Sequence, residues 1–288
     1  MINHLKDSLR NNTLIGNSRF KIIKTIGRGG FGFIYLATDA NHKKYAIKEF
    51  FIDRGFIRNT DNTSVICDPN YNKNKEHFYR KMFKNEALLL RKLDHPNIIV
   101  SFEFFEENGT CYNVMPFIKG VSLSEHIKME GSLSEVESSR IIYLIAKAIK
   151  YIHSKNICHF DIKPENIMLQ NGNPILIDFG LSRNYTDSHL GESIFQTISA
   201  GYAPLELFEK NGINTFSPET DIFGLGATLY SMLTGETPPL LKSIWHGALL
   251  KNIKDLSDPL QMTIKTSMQI IPSRRFRSID SFIQSLLK

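Results

Sequence analysis

The segment from His159 to Gly180 leaves its backbone few options. His159-Phe-Asp161-Ile-Lys163-Pro-Glu-Asn166 runs into the apolar Ile167-Met-Leu169. Asn171-Gly172 then supplies a hairpin turn, and Pro174 to Ile177 forms a second short strand ending in Asp178-Phe-Gly180. A turn of about two or three residues at Asn171 sets position 166 opposite 177 or 178, so Asn166 and Asp178 meet at one end of the same hairpin. An amide oxygen and a carboxylate are hard oxygen ligands that suit Mg²⁺ better than a soft metal. Asp161 lies on the loop feeding the hairpin, near enough to act as a base, and Lys163 is placed to reach a phosphate in transfer. A lone Asp-Phe-Gly is usually only a turn. The ordered set is what points to phosphate chemistry.

Upstream, Gly27-Arg-Gly29-Gly-Phe-Gly32 lies between two β-like runs. Glycines let a backbone approach phosphates and offer them its amides, although the same pattern also makes plain turns. A dinucleotide-binding glycine loop runs into a helix, whereas this one runs into Phe33-Ile34-Tyr35-Leu36, a strand, so that reading fails. Lys48 closes the apolar strand Tyr45-Ala46-Ile47. A lysine there is commonly just a solvated strand end. However, between Glu76 and Leu93 the residues Tyr79, Met82, Phe83, Leu90 and Leu93 form a helical apolar stripe that includes Glu86. A carboxylate on a buried stripe needs a cationic partner, and Lys48 is the candidate.

The pattern along the chain changes near residue 115. Arg19 to Ile26, Phe33 to Thr38 and Lys44 to Phe50 read as strands separated by turns. Beyond Met115-Pro116-Phe117, Ser134-x-x-Glu137 is a capping box for a long helix with Ile141, Ile142, Ile145, Ala148, Ile149 and Ile152 on one face. Ser217-Pro218 opens another helix, through Leu233. These patterns predict an α+β protein of two lobes, a small antiparallel β-sheet lobe and a larger, mainly helical one. The expected organisation is an N-terminal extension at 1–18, a sheet lobe at 19–115 with an insertion at about 53–75, a hinge at 116–118 and a helical lobe at 119–288. The polar stretch Asp53 to Lys75 holds few apolar residues, so it is expected to add little to a core, as an ordered insertion or a mobile loop that tolerates shortening.

In order and spacing, this set resembles the signature of eukaryotic-like protein kinase domains over nearly the whole chain. The wording of Ala46-Ile-Lys-Glu-Phe-Phe51 and Gly201-Tyr-Ala-Pro-Leu-Glu206 is similar to bacterial serine/threonine kinases. The resemblance implies the bilobal kinase fold and the use of ATP and Mg²⁺. Gly27, Gly29 and Gly32 would cover the phosphates, and Lys48, paired to Glu86, would hold the α- and β-phosphates. Ile26, Ile34, Ala46 and Met168 would line the adenine site, with Met115 as gatekeeper and Pro116 and Ile118 in the hinge. Asp161 would be the catalytic base, Lys163 the γ-phosphate contact, and Asn166 and Asp178 the Mg²⁺ ligands. Lys163 and Ser199 are the residue types expected where serine or threonine is the acceptor. Arg275 would pair with Glu206, and Asp221 would begin the central helix of the large lobe. A nucleotide-binding pseudokinase scaffold is the alternative, disfavoured because Lys48, Asp161 and Asp178 are all present. One departure stands out. Many kinases place an arginine before the catalytic aspartate to receive a phosphate on the activation segment, and here Phe160 occupies that place. Phosphorylation at Ser182, Thr186, Ser188, Ser193 or Thr197 is therefore not expected to be needed for activity.

Composition removes other classes. With 288 residues, 42% of them hydrophobic, the chain can bury a sizeable core. Its 35 basic against 29 acidic residues give +6, but the lysines are scattered, so no nucleic-acid partner is expected. Cys67, Cys111 and Cys158 form no disulfide or zinc pattern, which fits a reducing, cytoplasmic setting. The longest apolar stretches fall well short of the about 20 residues that cross a bilayer, so no membrane insertion by this segment is expected. Protein substrates bearing serine or threonine are the implied partners. Oligomeric state is left open.

Overall fold

The three β-runs near the N-terminus pair into one antiparallel ladder in the computed structural model, which describes residues 6–29, 31–184, 201–207, 217–239 and 253–288. In the first unit (Met1–Asp94 with Ile99–Lys119), the elements are β1 (Leu14–Ile15), β2 (Phe20–Gly29), β3 (Gly32–Thr38), β4 (Lys44–Phe50), β5 (Phe56–Arg58), β6 (Val65–Cys67), α1 (Lys73–Leu90), β7 (Glu103–Glu107) and β8 (Thr110–Pro116). Six of the strands form a sheet in the order β1-β2-β3-β4-β8-β7, and β5 and β6 form a separate hairpin. α1 starts at Lys73 because the Asn72 side chain accepts the Asn74 and Lys75 N–H groups, a cap the apolar stripe alone does not reveal.

Alternation along the strands splits the sheet into two faces. Tyr35, Ile47 and Glu49 are buried on one, and Ile34, Ala46 and Lys48 share the other. The insertion departs from expectation. Phe56 and Val65 belong to the same core cluster as Tyr35, Ile47 and Tyr112, and so do Leu9 and Ile15 from the chain's first residues. Few apolar residues suffice here because β5 and β6 turn one side chain from each strand inward, leaving Ile57 and Ile66 exposed.

In the second unit (His95–Ile98 with Gly120–Lys288), the elements are β9 (Val121–Ser122), α2 (Leu123–Glu130), α3 (Glu135–His153), β10 (Ile157–Cys158), β11 (Ile167–Gln170), β12 (Asn173–Leu176), β13 (Arg183–Asn184), α4 (Pro218–Thr234), α5 (Asp258–Ser267) and α6 (Ile279–Leu286). β12, β11 and β9 form a small sheet, and β10 pairs with β13. Every residue of α4 from Thr220 to Leu233 is buried, as expected of a helix at the centre of a helical core. A side chain at Gly226 would put its Cβ 2.4 Å from that of Ser267, so this glycine permits close contact of α4 with α5. The Ser134 hydroxyl caps α3 by accepting the Glu137 N–H. Complete, reciprocal capping boxes are at α2, between Ser122 and Glu125, and at α6, between Ser278 and Ser281. No helix among the described residues is long and apolar enough to cross a membrane.

Candidate active site

Two sets of polar side chains stand out, one in each unit. In the first, Lys48 Nζ donates to both carboxylate oxygens of Glu86, at 2.9 and 3.0 Å. Both residues are buried, so each charge offsets a desolvation that would otherwise be costly. α1 supplies Glu86 from the stripe that buries Met82, Phe83, Ala87 and Leu90, and the ammonium lies 5.8 Å from the Phe83 ring centroid. The β-ladder sets Ile34 opposite Lys48 and Met115 opposite Ala46, so Ile34, Ala46 and Met115 share the sheet face of Lys48, whereas Pro116, opposite Tyr45, falls on the other face. Ile118 is buried, whereas Ile26 is 40% exposed, next to Gly27.

The three glycines of the loop differ. Gly32 has φ +146°, and a Cβ there would fall 1.8 Å from the Glu49 carbonyl oxygen, so the fold itself demands glycine. At Gly29 a Cβ would meet nothing within 4 Å, and at Gly27 it would reach Ile34 only at an ordinary 3.6 Å. Packing does not require glycine at either position.

In the second unit the loop before β11 is fixed from below. The His159 and Phe160 N–H groups each donate to the Asp221 carboxylate at 2.8 Å, and His153 Nε2 is 2.8 Å from the same group. Burial would push the Asp221 carboxyl up, but the hydrogen bond and charge of His153, with His159 adding to them, hold it below the usual carboxylate range. Asp161 N–H donates to His159 Nδ1 at 3.3 Å, which leaves the imidazole proton on Nε2. Burial pushes the His159 pKa down, against the opposing pull of Asp221, Asp161 and Asp178. Phe160, immediately before Asp161, sits at φ +67°, a strained conformation for a bulky side chain.

Asp161 Oδ2 accepts from Lys163 Nζ at 2.7 Å and from Asn166 Nδ2 at 2.8 Å. Because Nδ2 also donates to the Asp161 carbonyl, the amide of Asn166 is oriented by its network, and its Oδ1 is the atom left for other duty. The β11–β12 register sets 167 opposite 176, and the Ile177 N–H donates to the Asn166 carbonyl, which brings Asp178 to the same hairpin end. Asp178 Oδ1 accepts the Gly180 N–H at 3.0 Å. An amide oxygen and a carboxylate fit a hard divalent cation such as Mg²⁺. Met168 lies on β11 of this unit, opposite Ile175.

Several features escaped sequence reasoning. Asp221 was recognised as a helix start, yet its carboxylate anchors the loop from a distance of 62 positions in sequence. Glu49, next to Lys48, is fully buried and receives Arg58 through two bonds of 2.9 and 2.6 Å, with Tyr35 and Tyr112 hydroxyls also donating to it. Burial beside Glu49 pushes both phenols up. The signal was present as Arg58, an arginine next to apolar residues in a polar insertion. Farther along, Arg275 forks onto Glu206 at 2.6 and 3.0 Å. Ser182 is buried, with its hydroxyl 3.4 Å from the His159 carbonyl oxygen. Ser199 lies outside the described residues, as do Thr186, Ser188, Ser193 and Thr197.

A family model described as a protein kinase domain matches residues 20–288. Serine/threonine-protein kinase C of Synechocystis sp. is 30% identical over 94% of this chain and 50% of its own length. Serine/threonine-protein kinase PknA of Nostoc sp. is 30% identical over 94% of this chain and 47% of its own. The chain thus spans about half the length of these curated relatives. The solved structure of PpkA-294 in its apo form aligns with a TM-score of 0.82 at 28% identity, covering 98% of this chain and all of that one.

Proposed function

The chain belongs to the protein kinase family, and from that premise we propose that it transfers the γ-phosphoryl group of ATP to a serine or threonine hydroxyl of protein substrates. One observation carries the proposal: a single carboxylate oxygen of Asp161 receives both Lys163 and Asn166, on the loop that leads to Asp178. A scaffold that only bound nucleotide would have no use for that arrangement.

The roles follow from charge and reach. Lys48, held by Glu86, binds the α- and β-phosphates, and the Gly27 to Gly32 backbone covers them. Asn166 and Asp178 would hold Mg²⁺, which would neutralise phosphate charge. Asp161 accepts the proton of the incoming hydroxyl as its oxygen bonds to the γ-phosphorus. The bond from that phosphorus to the bridging oxygen breaks, and ADP leaves with the electron pair. Lys163 balances charge on the transferred group. Ile34, Ala46, Met115 and Met168 supply apolar contact for adenine, with Ile26 at the rim and the backbone at Pro116 and Ile118 for its edge. Pro116 lacks an N–H but retains its carbonyl. Ser199 is assigned to the acceptor side.

The test is transfer of labelled γ-phosphate to a generic protein substrate, followed by phosphoamino-acid analysis. Label on serine or threonine is expected from the parent, falling about a thousandfold or more in Asp161→Asn with an unchanged thermal unfolding profile. Equal transfer by Asp161→Asn, or label on tyrosine alone, overturns the reading.

A further inference from the structure

A cavity of about 410 Å³ opens in the first unit, lined by none of the residues assigned to ATP. Lys6, Arg10, Lys24 and Arg58 line it, and Thr25 and Asn62 add neutral hydrogen-bonding groups. Among the described residues, no carboxylate lines it. Arg58 is committed to Glu49 beneath, but among the described residues no ion pair engages Lys6, Arg10 or Lys24.

Three separate pieces of chain make the walls: the N-terminal segment, β2 and the β5–β6 hairpin. Each is held in place by bonds that leave the charged groups of Lys6, Arg10 and Lys24 out of account. The Leu9 N–H donates to the Tyr35 hydroxyl at 3.0 Å, and Arg58 Nε donates to the Asp7 carbonyl at 2.9 Å. The Asn12 N–H donates to Ile22 O, and the Ile22 N–H to Thr13 O, which zips the segment to β2. In the hairpin tip, the Asn62 N–H donates to Asn59 O and the Asn59 N–H to Ser64 O. The walls are therefore set before any ligand arrives. Three cations facing one concavity repel one another, and a structure that leaves them without acidic partners gains most from an anion placed among them.

We propose that this cavity binds a phosphate monoester, at a site separate from the residues assigned to ATP. The charge favours a dianion, which a monoester becomes near neutral pH with a second pKa of about 6. The size also fits: the cavity falls in the range of roughly 300 to 1,000 Å³ seen for small-ligand sites, more than a bare phosphate ion fills. Lysine ammonium and arginine guanidinium groups arriving from different segments would each take an oxygen of the same phosphate.

The test uses the intact chain with saturating Mg²⁺ and ADP, so that nucleotide-site binding is blocked. Backbone amide shifts in ¹⁵N-labelled protein are followed during titration with inorganic phosphate, with a phosphoserine peptide, and with the same peptide unphosphorylated, at constant ionic strength. Saturable shifts confined to residues 8–11, 24–25 and 58–62 are expected with the phosphate-bearing probes. They should weaken at least about tenfold in Arg10→Ala/Lys24→Ala, whose replaced side chains are exposed. A peptide that binds more tightly than inorganic phosphate identifies a phosphorylated segment as the source, and equal affinity identifies a small phosphate. The proposal is overturned if the shifts are absent, do not saturate, are matched by chloride or the unphosphorylated peptide, or persist unchanged in the double variant. None of these readings depends on phosphotransfer.

Discussion

His159 has no solvent around it, and its charge state is decided by its neighbours. Its Nδ1 accepts the Asp161 N–H, its ring meets Phe179 edge-on at 4.6 Å, and its Nε2 has no hydrogen-bond partner among the described residues. Protonation would forfeit the bond that orients Asp161 and place a cation in an apolar setting, and the nearby Asp221, Asp161 and Asp178 only partly offset this. The folded pKa lies below the unfolded value of about 6.5, so the stabilising contribution is complete above that pH and is lost as pH falls below it. The loss cannot exceed about 1.4 kcal/mol per pH unit for one group. Urea unfolding at about pH 7.5 and about pH 5.5 should show a decline in the parent that is largely absent in His159→Phe, which does not titrate. Equal declines would assign the pH dependence elsewhere. Asp221 acts in a different window: its carboxyl is held low, so its contribution is present above about 3.8 and lost below.

At the scale of elements, two pieces behave differently from what their composition suggests. The β5–β6 hairpin lies in a polar stretch, yet its Arg58 is the cationic partner of a wholly buried Glu49, and Arg58 Nη1 also donates to the Thr63 carbonyl. Arg58→Ala strands a buried carboxylate and should cost about 3–5 kcal/mol in chemical unfolding, whereas Glu49→Leu/Arg58→Met, which removes both charges, should cost clearly less. A double variant no better than the single would mean that shape, not charge, secures the hairpin. The second piece is the segment after Asp178. Phe160 packs with Leu181, Ala203 and Leu207, so both described ends of that segment rest on an apolar cluster where a phosphate-binding arginine would otherwise stand. Ordering that comes from apolar burial needs no added charge. Initial rates of Ser193→Ala/Thr197→Ala should therefore stay within about threefold of phosphatase-treated parent, or roughly 0.65 kcal/mol in barrier. A hundredfold loss, restored by acidic replacements, would reveal another basic group receiving phosphate.

For the whole molecule, legibility tracked the sequence distance over which each feature is encoded. The hairpin bearing Asn166 and Asp178 was readable because a turn and two short runs fix its register locally. Glu86 was readable because a charge on an apolar stripe is conspicuous, and its partner closed the neighbouring strand. The Asp221 anchor and the Glu49 network were not readable, since each depends on distant segments meeting in a core and leaves no spacing to detect. The residues assigned to ATP are polar groups whose work is done on a ligand, so their effects should appear in stability only when that ligand is present. A ligand that binds only the folded state stabilises it by about 2.7 kcal/mol at a hundredfold excess over Kd, which is about 5 °C or more in a thermal scan. ATP with Mg²⁺ should raise the unfolding temperature of the parent by that order. Asp161→Asn should keep the rise while losing transfer, because Asp161 acts on the incoming hydroxyl. Asp178→Asn should lose the part that depends on Mg²⁺, and Lys48→Met should lose most of the rise with or without metal. Loss of the rise in Asp161→Asn, or its persistence in both of the other variants, would mean that binding and transfer are divided among these residues differently.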